Sequence, residues 1–156
     1  MPYMMSAPGS RHQFVAGRIY NQLSNFLNGK PCRACISPFD IRLFGAGDYD
    51  DTIVQPDVFV VCDRSKIDER GVNGAPDLAV EIVSPSSRRM DRMIKLQKYK
   101  EAGVREYWIV EPDSRSVQVL TLRDGEYIIA MYEDTASVPV GILEGCEINM
   151  TDVFAE

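Results

Sequence analysis

Histidine is nearly absent from this sequence, His12 being the one example in 156 residues. Cys32 and Cys35 form a lone CxxC with no second pair, so a zinc site is left two ligands short. A redox role for the pair is disfavoured too, because it precedes a strand instead of opening a helix. Cysteine, at four residues, is too sparse for a dense disulfide framework, and Cys62 and Cys146 sit in apolar stretches where a thiol behaves as a small hydrophobe. Long hydrophobic runs are also missing. The longest, such as Val58–Cys62 and Leu78–Val83, are far too short to cross a bilayer, and Met1–Ser6 has neither a basic start nor a sustained apolar stretch. A cytoplasmic protein without a membrane partner is expected. No repeat or low-complexity tract is visible, which excludes solenoid and disordered classes. Basic charge is short as well: 17 Lys and Arg stand against 23 Asp and Glu, a net charge of -6. That balance opposes non-specific affinity for nucleic acid, which needs an excess of cations on the contacting face.

What is present suits a soluble core. The apolar fraction is 45%, and the length predicts a single domain over residues 1–156. Ser10 and Gln13 have the form of a capping box, followed by Phe14, Val15, Ile19, Leu23, Phe26 and Leu27 at helical spacing until Asn28-Gly29 and Pro31. Strands are expected over 36–44, 54–62 and 77–83, with 63–76 as a polar loop. Ser84-Pro85-Ser86-Ser87 then opens a second helix to about Ala102, in which Met90, Met93, Ile94 and Tyr99 can face the core and Gly103 supplies the C-terminal cap. A fourth strand follows over 106–110. Residues 115–122 and 126–132 pair as a hairpin across Asp124-Gly125. The order αβββαβ with a β extension predicts an α/β or α+β fold built on a mixed central sheet.

Two features stand out against this background. The acidic protein carries one locally basic stretch, Arg88, Arg89, Arg92, Lys95, Lys98, Lys100 and Arg105, against Asp91 and Glu101 alone. It is either a solvated helix face or a face turned to phosphates. The second feature is acid inside strands: Asp57 behind Pro56, and Glu81 within Leu78–Val83. A carboxylate buried without compensation neutralises, so a strand that keeps two acids has a cation, a metal or a donor network nearby. Strand alternation puts Asp77 and Glu81 on one face. If the second and third strands are neighbours, Asp57 and Glu81 converge on one hard cation such as Mg²⁺.

The run Pro76-Asp77-Leu78-Ala79-Val80-Glu81-Ile82-Val83-Ser84-Pro85-Ser86 resembles the Uma-type restriction endonucleases of bacteria, within the PD-(D/E)xK nuclease superfamily. The likeness extends from His12-Gln13 through Gln55-Pro56-Asp57 to Asp91, Lys95, Tyr99 and Gly103-Val104, and on to Glu106-Tyr107-Trp108-Ile109-Val110 and Pro112. It implies a restriction-endonuclease-like fold and a divalent-metal-dependent endonuclease that hydrolyses DNA. The implied metal set is Asp57, Glu81 and Ile82, holding Mg²⁺ or Mn²⁺. Val83 stands where the superfamily carries its catalytic Lys, so the implied replacement is Lys95 on the second helix, with Lys98 as fallback. Asp77, Asp91 and His12 are implied auxiliaries, although a lone His near a helix start is ordinarily a capping or packing residue. Arg88, Arg89 and Arg92 are the expected nucleic-acid contacts.

The family's usual acidic N-terminal segment is expected to be missing here, leaving an edge for a partner chain. Together with an apolar region around Val138–Leu143, this predicts a homodimer. The alternative function is a catalytically impaired member of the same fold that binds nucleic acid or protein. Trp108 reads as core and not as a platform for bases.

Overall fold

The computed structural model describes residues 9–47, 50–85, 89–133 and 137–156. Its elements, in order, are α1 (Ser10–Leu27), β1 (Arg33–Ile36), β2 (Ile41–Arg42), β3 (Ile53–Val54), β4 (Val58–Val61), β5 (Ile67–Asp68), β6 (Gly71–Asn73) and β7 (Leu78–Ile82). Then come α2 (Arg89–Ala102), β8 (Glu106–Glu111), β9 (Ser116–Arg123), β10 (Glu126–Glu133), β11 (Ser137–Pro139), β12 (Glu147–Asn149) and α3 (Met150–Val153).

A six-stranded mixed sheet in the order β1-β4-β7-β8-β9-β10 organises the molecule. Within this sheet only β7 and β8 run parallel, and α2 makes the crossover between them, as a parallel pair requires. Side chains alternate across the sheet. Val58, Val60, Leu78, Val80, Trp108 and Val110 point to the layer that holds Val15, Ile19 and Leu23 of α1, and the C-terminal segment from Val138 to Phe154 closes the same layer. Phe59, Val61, Ala79, Tyr107 and Ile109 point to the opposite layer, under Tyr99 of α2. Ile41, Leu43 and Val72, from a small sheet of order β3-β2-β6-β5, complete that second core.

Several elements depart from what the sequence predicts. Gly9, not Ser10, is the N-cap of α1, with no side-chain cap bond, and Phe14 is 61% exposed. The strand expected over 54–62 is split into β3 and β4 by Gln55-Pro56, since Pro has no N–H for a ladder. The strand expected over 36–44 is likewise divided at Ser37-Pro38, and the polar loop at 63–76 contributes β5 and β6. Cys62 is not a free hydrophobe: it is disulfide-bonded to Cys32. The cause is register, because Arg33 pairs with Val61 and the next positions outward face each other. Val138, Val140 and Leu143 are buried core residues, so the apolar C-terminal region is not an open surface.

The largest difference concerns α2. Met90, Met93 and Ile94 point outward at 66%, 58% and 54% exposure, while Arg92, Lys95, Leu96 and Tyr99 turn toward the sheet. Helical geometry permits one inward stripe, and the stripe chosen is the one that carries charge. Gly103, at φ 82, ends the helix in the left-handed conformation that glycine adopts without steric cost.

Candidate active site

The site lies where β4 and β7 part. Their antiparallel ladder runs through Phe59↔Ala79 and Val58↔Val80, and one step beyond it Asp57 stands level with Glu81 on the α2 side of the sheet. There the pairing changes character. A side chain, not a backbone carbonyl, takes the Ile82 N–H, which donates to Asp57 Oδ2 at 2.7 Å. The Asp57 carbonyl accepts from Ser37 N–H at 3.0 Å, which fixes the backbone behind the carboxylate.

Glu81 projects from the same strand end under α2. Tyr99 O–H donates to its Oε2 at 2.8 Å, and Lys95 Nζ donates to its Oε1 at 3.2 Å. Asp91, Lys95 and Tyr99 follow one another at i to i+4 along the inward stripe, so one helix face brings a rim acid, an ammonium and a phenol to the sheet in turn. From the opposite layer, His12 near the start of α1 places Nε2 3.1 Å from the Ile82 carbonyl and 3.5 Å from Asp57 Oδ2. Among the described residues its buried Nδ1 has no hydrogen-bond partner.

Together His12, Asp57, Glu81, Ile82, Val83, Asp91, Arg92, Lys95 and Tyr107 line a cleft of about 310 Å³. Burial raises the pKa of Glu81 above the ordinary carboxylate value, against the opposing pull of Lys95 and of the Tyr99 hydroxyl. Asp57 is raised for the same reason, with the Ile82 N–H, His12 and Lys95 pulling it down. Two adjacent carboxylates, desolvated despite these partners, offer the oxygen donors that a hard cation takes.

Not every residue singled out from the sequence reaches this cleft. Asp77 lies at the far end of β7, where it accepts from Cys62 N–H at 2.7 Å and faces Arg105 at 3.3 Å. Strand alternation puts it on the same face as Glu81, but about 13 Å along the strand at roughly 3.3 Å per residue. Lys98 turns away to Asp50 at 3.0 Å and lies over the Phe44 ring. Arg89 is exposed on the first turn of α2 and does not line the cleft, and Arg88 lies outside the described residues. Val83 lines the cleft wall as an apolar residue, and the ammonium nearest the carboxylates comes from Lys95 on the helix.

Two functional partners escaped the sequence reading. Tyr99 was expected as a core residue and is one by burial, yet its hydroxyl holds Glu81. Tyr107, on the α2 face of β8, lines the cleft. Its neighbour Trp108 faces the other layer and donates Nε1–H to Glu106 at 2.6 Å. The available signal was the alternation of Glu106-Tyr107-Trp108, which sends adjacent aromatics to opposite layers.

A six-stranded sheet of this order, with α1 on one face, α2 bridging the parallel pair on the other and acids where the strands part, is the restriction-endonuclease-like fold. It superposes on a crystal structure from Anabaena variabilis, titled as a "putative nuclease belonging to DUF820", with a TM-score of 0.75. That match covers 96% of this chain and 83% of the other at 19% sequence identity, so the likeness is one of fold. The chain belongs to the Uma2 family, described as "Putative restriction endonuclease", which matches residues 2–151. A Synechocystis protein, described as "Uncharacterized protein slr1290", is 26% identical over 133 residues, covering 84% of this chain and 68% of the relative.

Proposed function

We propose that this chain is a divalent-metal-dependent endonuclease that hydrolyses DNA phosphodiester bonds. The observation that carries the reading is the meeting of Asp57 and Glu81 at the point where β4 and β7 part, both desolvated and both open to one cleft.

The donor chemistry fits Mg²⁺ or Mn²⁺. These ions take oxygen ligands, and Mg²⁺ retains several of its waters, so a site with few protein ligands suffices. Among the described residues no group of three His, Cys, Asp or Glu side chains could hold an ion. The proposed protein ligands are the Asp57 and Glu81 carboxylates and the main-chain carbonyl of Ile82, which lies 3.1 Å from His12 Nε2. When bound, such an ion supplies Lewis acidity to a phosphoryl oxygen and lowers the pKa of a bound water.

The chain's own groups do the rest. Tyr99 fixes one oxygen of Glu81 and so sets the direction of the other. Lys95 holds the attacking water and screens the negative charge that develops on the phosphorus oxygens. Asp91, exposed at the rim, orients the entry side of the cleft, and Arg92 meets the strand's phosphates inside it, with Arg89 on the helix surface. A second copy is the proposed partner of the open edge strand β10, where Ile128, Ile129 and Met131 are exposed.

Cleavage of single- and double-stranded DNA, measured with Mg²⁺ or Mn²⁺ and again with EDTA, tests the reading. Metal-dependent cleavage that is lost in Glu81→Ala is the expected result. Absence of cleavage on both substrates with either ion contradicts it. Sedimentation at high protein concentration tests the dimer, and monomeric behaviour removes it.

A further inference from the structure

Among the described residues, every basic side chain lining the cleft has an acid nearby except one. Lys95 is 3.2 Å from Glu81, His12 is 3.5 Å from Asp57, and Lys98 is 3.0 Å from Asp50. Arg92 lines the same cleft from the inward stripe of α2, yet among the described residues its guanidinium has no carboxylate partner, and its Nε is buried without an acceptor. A desolvated guanidinium donor left unpaired is costly, so an arrangement that keeps one has an acceptor arriving from outside.

Tyr107 shares the cleft with it. This side chain is 1% exposed, and its ring packs edge-on against Tyr99 with centroids 4.8 Å apart. Its hydroxyl donates to no group among the described residues. The neighbouring tyrosines behave differently, since Tyr99 O–H is committed to Glu81 and Tyr127 O–H to the Val104 carbonyl. Burial and the nearby Glu81 push the Tyr107 pKa far up, with Arg92 opposing, so the phenol stays a neutral donor.

We infer that Arg92 and Tyr107 form a phosphate subsite beside the carboxylate pair, in which the guanidinium fork and the phenol O–H donate to non-bridging oxygens of one phosphate group of a nucleic-acid strand. The chemistry is specific to a tetrahedral oxyanion: a planar fork matches two of its oxygens, and a separate donor from the sheet reaches a third. The acids beside it explain the confinement to one position. Asp57 and Glu81 repel an anion in their own part of the cleft, so the phosphate is held at the arginine end. This assignment rests on the nuclease reading of the cleft, but it concerns binding, which proceeds without metal.

The test is fluorescence anisotropy of a labelled short oligodeoxynucleotide in EDTA, competed with inorganic phosphate, for the wild type, Tyr107→Phe, Arg92→Lys and Arg92→Gln. Tyr107→Phe keeps the ring that packs on Tyr99 and removes one donor, and a loss of about 3–10-fold in affinity is expected. Arg92→Gln is expected to lose about 10–100-fold and to flatten the salt dependence by roughly one phosphate contact, with Arg92→Lys between it and the wild type. The double variant should lose less than the product of the two single losses. Mn²⁺ affinity should be unchanged in Tyr107→Phe. Wild-type affinity in both Tyr107→Phe and Arg92→Gln, or no oligonucleotide binding by the wild type, overturns the subsite. Should Arg92→Gln fail to fold, the Tyr107→Phe result decides alone. Binding that depends on both residues in a protein that never cleaves DNA keeps the subsite and removes the nuclease reading.

Discussion

Two glutamates are buried in one sheet, on opposite faces, and they are solved in opposite ways. Glu106, 0% exposed on the α1 side, receives Trp108 Nε1–H at 2.6 Å and Ile142 N–H at 3.1 Å, and the Gly141 N–H adds to them. Gly141 permits this closeness, since a Cβ there would lie 2.9 Å from Glu106 Oε1. All these donors are neutral, fixed and internal, so the carboxylate ties the C-terminal segment to β8. Glu81, 8% exposed on the α2 side, has one fixed neutral donor in Tyr99 and one ammonium on a long side chain, and it shares a cleft with Asp57. Burial of an acid alone therefore does not mark a site. Incomplete internal satisfaction beside a second acid does.

Removing each acid should have opposite consequences. Glu81→Ala should abolish metal-dependent cleavage, a loss of about a thousandfold or more, while the protein stays folded. Unchanged rates in a discontinuous cleavage assay would reject the assignment. Lys95→Ala should lower the catalytic rate by roughly 10²–10⁴-fold and leave metal affinity largely intact. Were Lys95 merely one half of an exposed surface pair, its loss would cost about 0.3–0.5 kcal/mol of stability and barely touch the rate.

Glu106→Ala should act on stability instead. It strands the Trp108 and Ile142 donors and opens a cavity, for a cost of about 2–4 kcal/mol. In thermal denaturation this corresponds to a fall of roughly 5–15 °C in Tm for a chain of this size. Metal affinity per folded molecule should not change.

The smallest expected effect is in pH. Burial raises the carboxyls of Asp57, Glu81 and Glu106 in the folded state. Stability from such groups is fully present below the unfolded carboxylate range and is lost as pH rises through the raised values. The metal-free protein should thus melt highest in mild acid and lower toward neutrality, by a few degrees. Asp50, Asp63 and Asp68 are shifted the other way, and their contribution is lost only as pH falls below the ordinary range. Added Mg²⁺ should restore the neutral-pH melting temperature in the wild type and not in Glu81→Gln, because a ligand that binds only the folded state stabilises it. A flat profile between mild acid and neutrality would contradict the burial of these groups.

What could be read from the sequence was what is local or periodic. The β9–β10 hairpin was legible because Asp124 and Gly125 both adopt positive φ, 51° and 80°, in a two-residue turn. The acids of the site were legible because Asp57 and Glu81 interrupt apolar strands, and Lys95 because its helical spacing from Asp91 is fixed. The rest depends on contacts between distant segments. β2, β3, β5 and β6 have two or three residues each and exist through pairing with one another, which no local pattern encodes. The facing of α2 is legible in part: Tyr99 and the Asp91–Lys95 spacing turn to the sheet as expected, but Met90, Met93 and Ile94, which the apolar pattern also turns to the core, lie outward. The inward side is instead set by Tyr99 and by the charges that meet Glu81. The Cys32–Cys62 pair required the β1–β4 register, and the bonds of Glu106 required the position of the 141–142 loop.

The proposed function requires metal to bind at the Glu81 end of the sheet and not at the Glu106 end. Calorimetric titration of Mn²⁺ or Mg²⁺ into the wild type, Glu81→Gln and Glu106→Gln tests it directly, at a temperature where all three are folded. One site is expected in the wild type, retained in Glu106→Gln and lost in Glu81→Gln. Equal binding in Glu81→Gln and the wild type would contradict it.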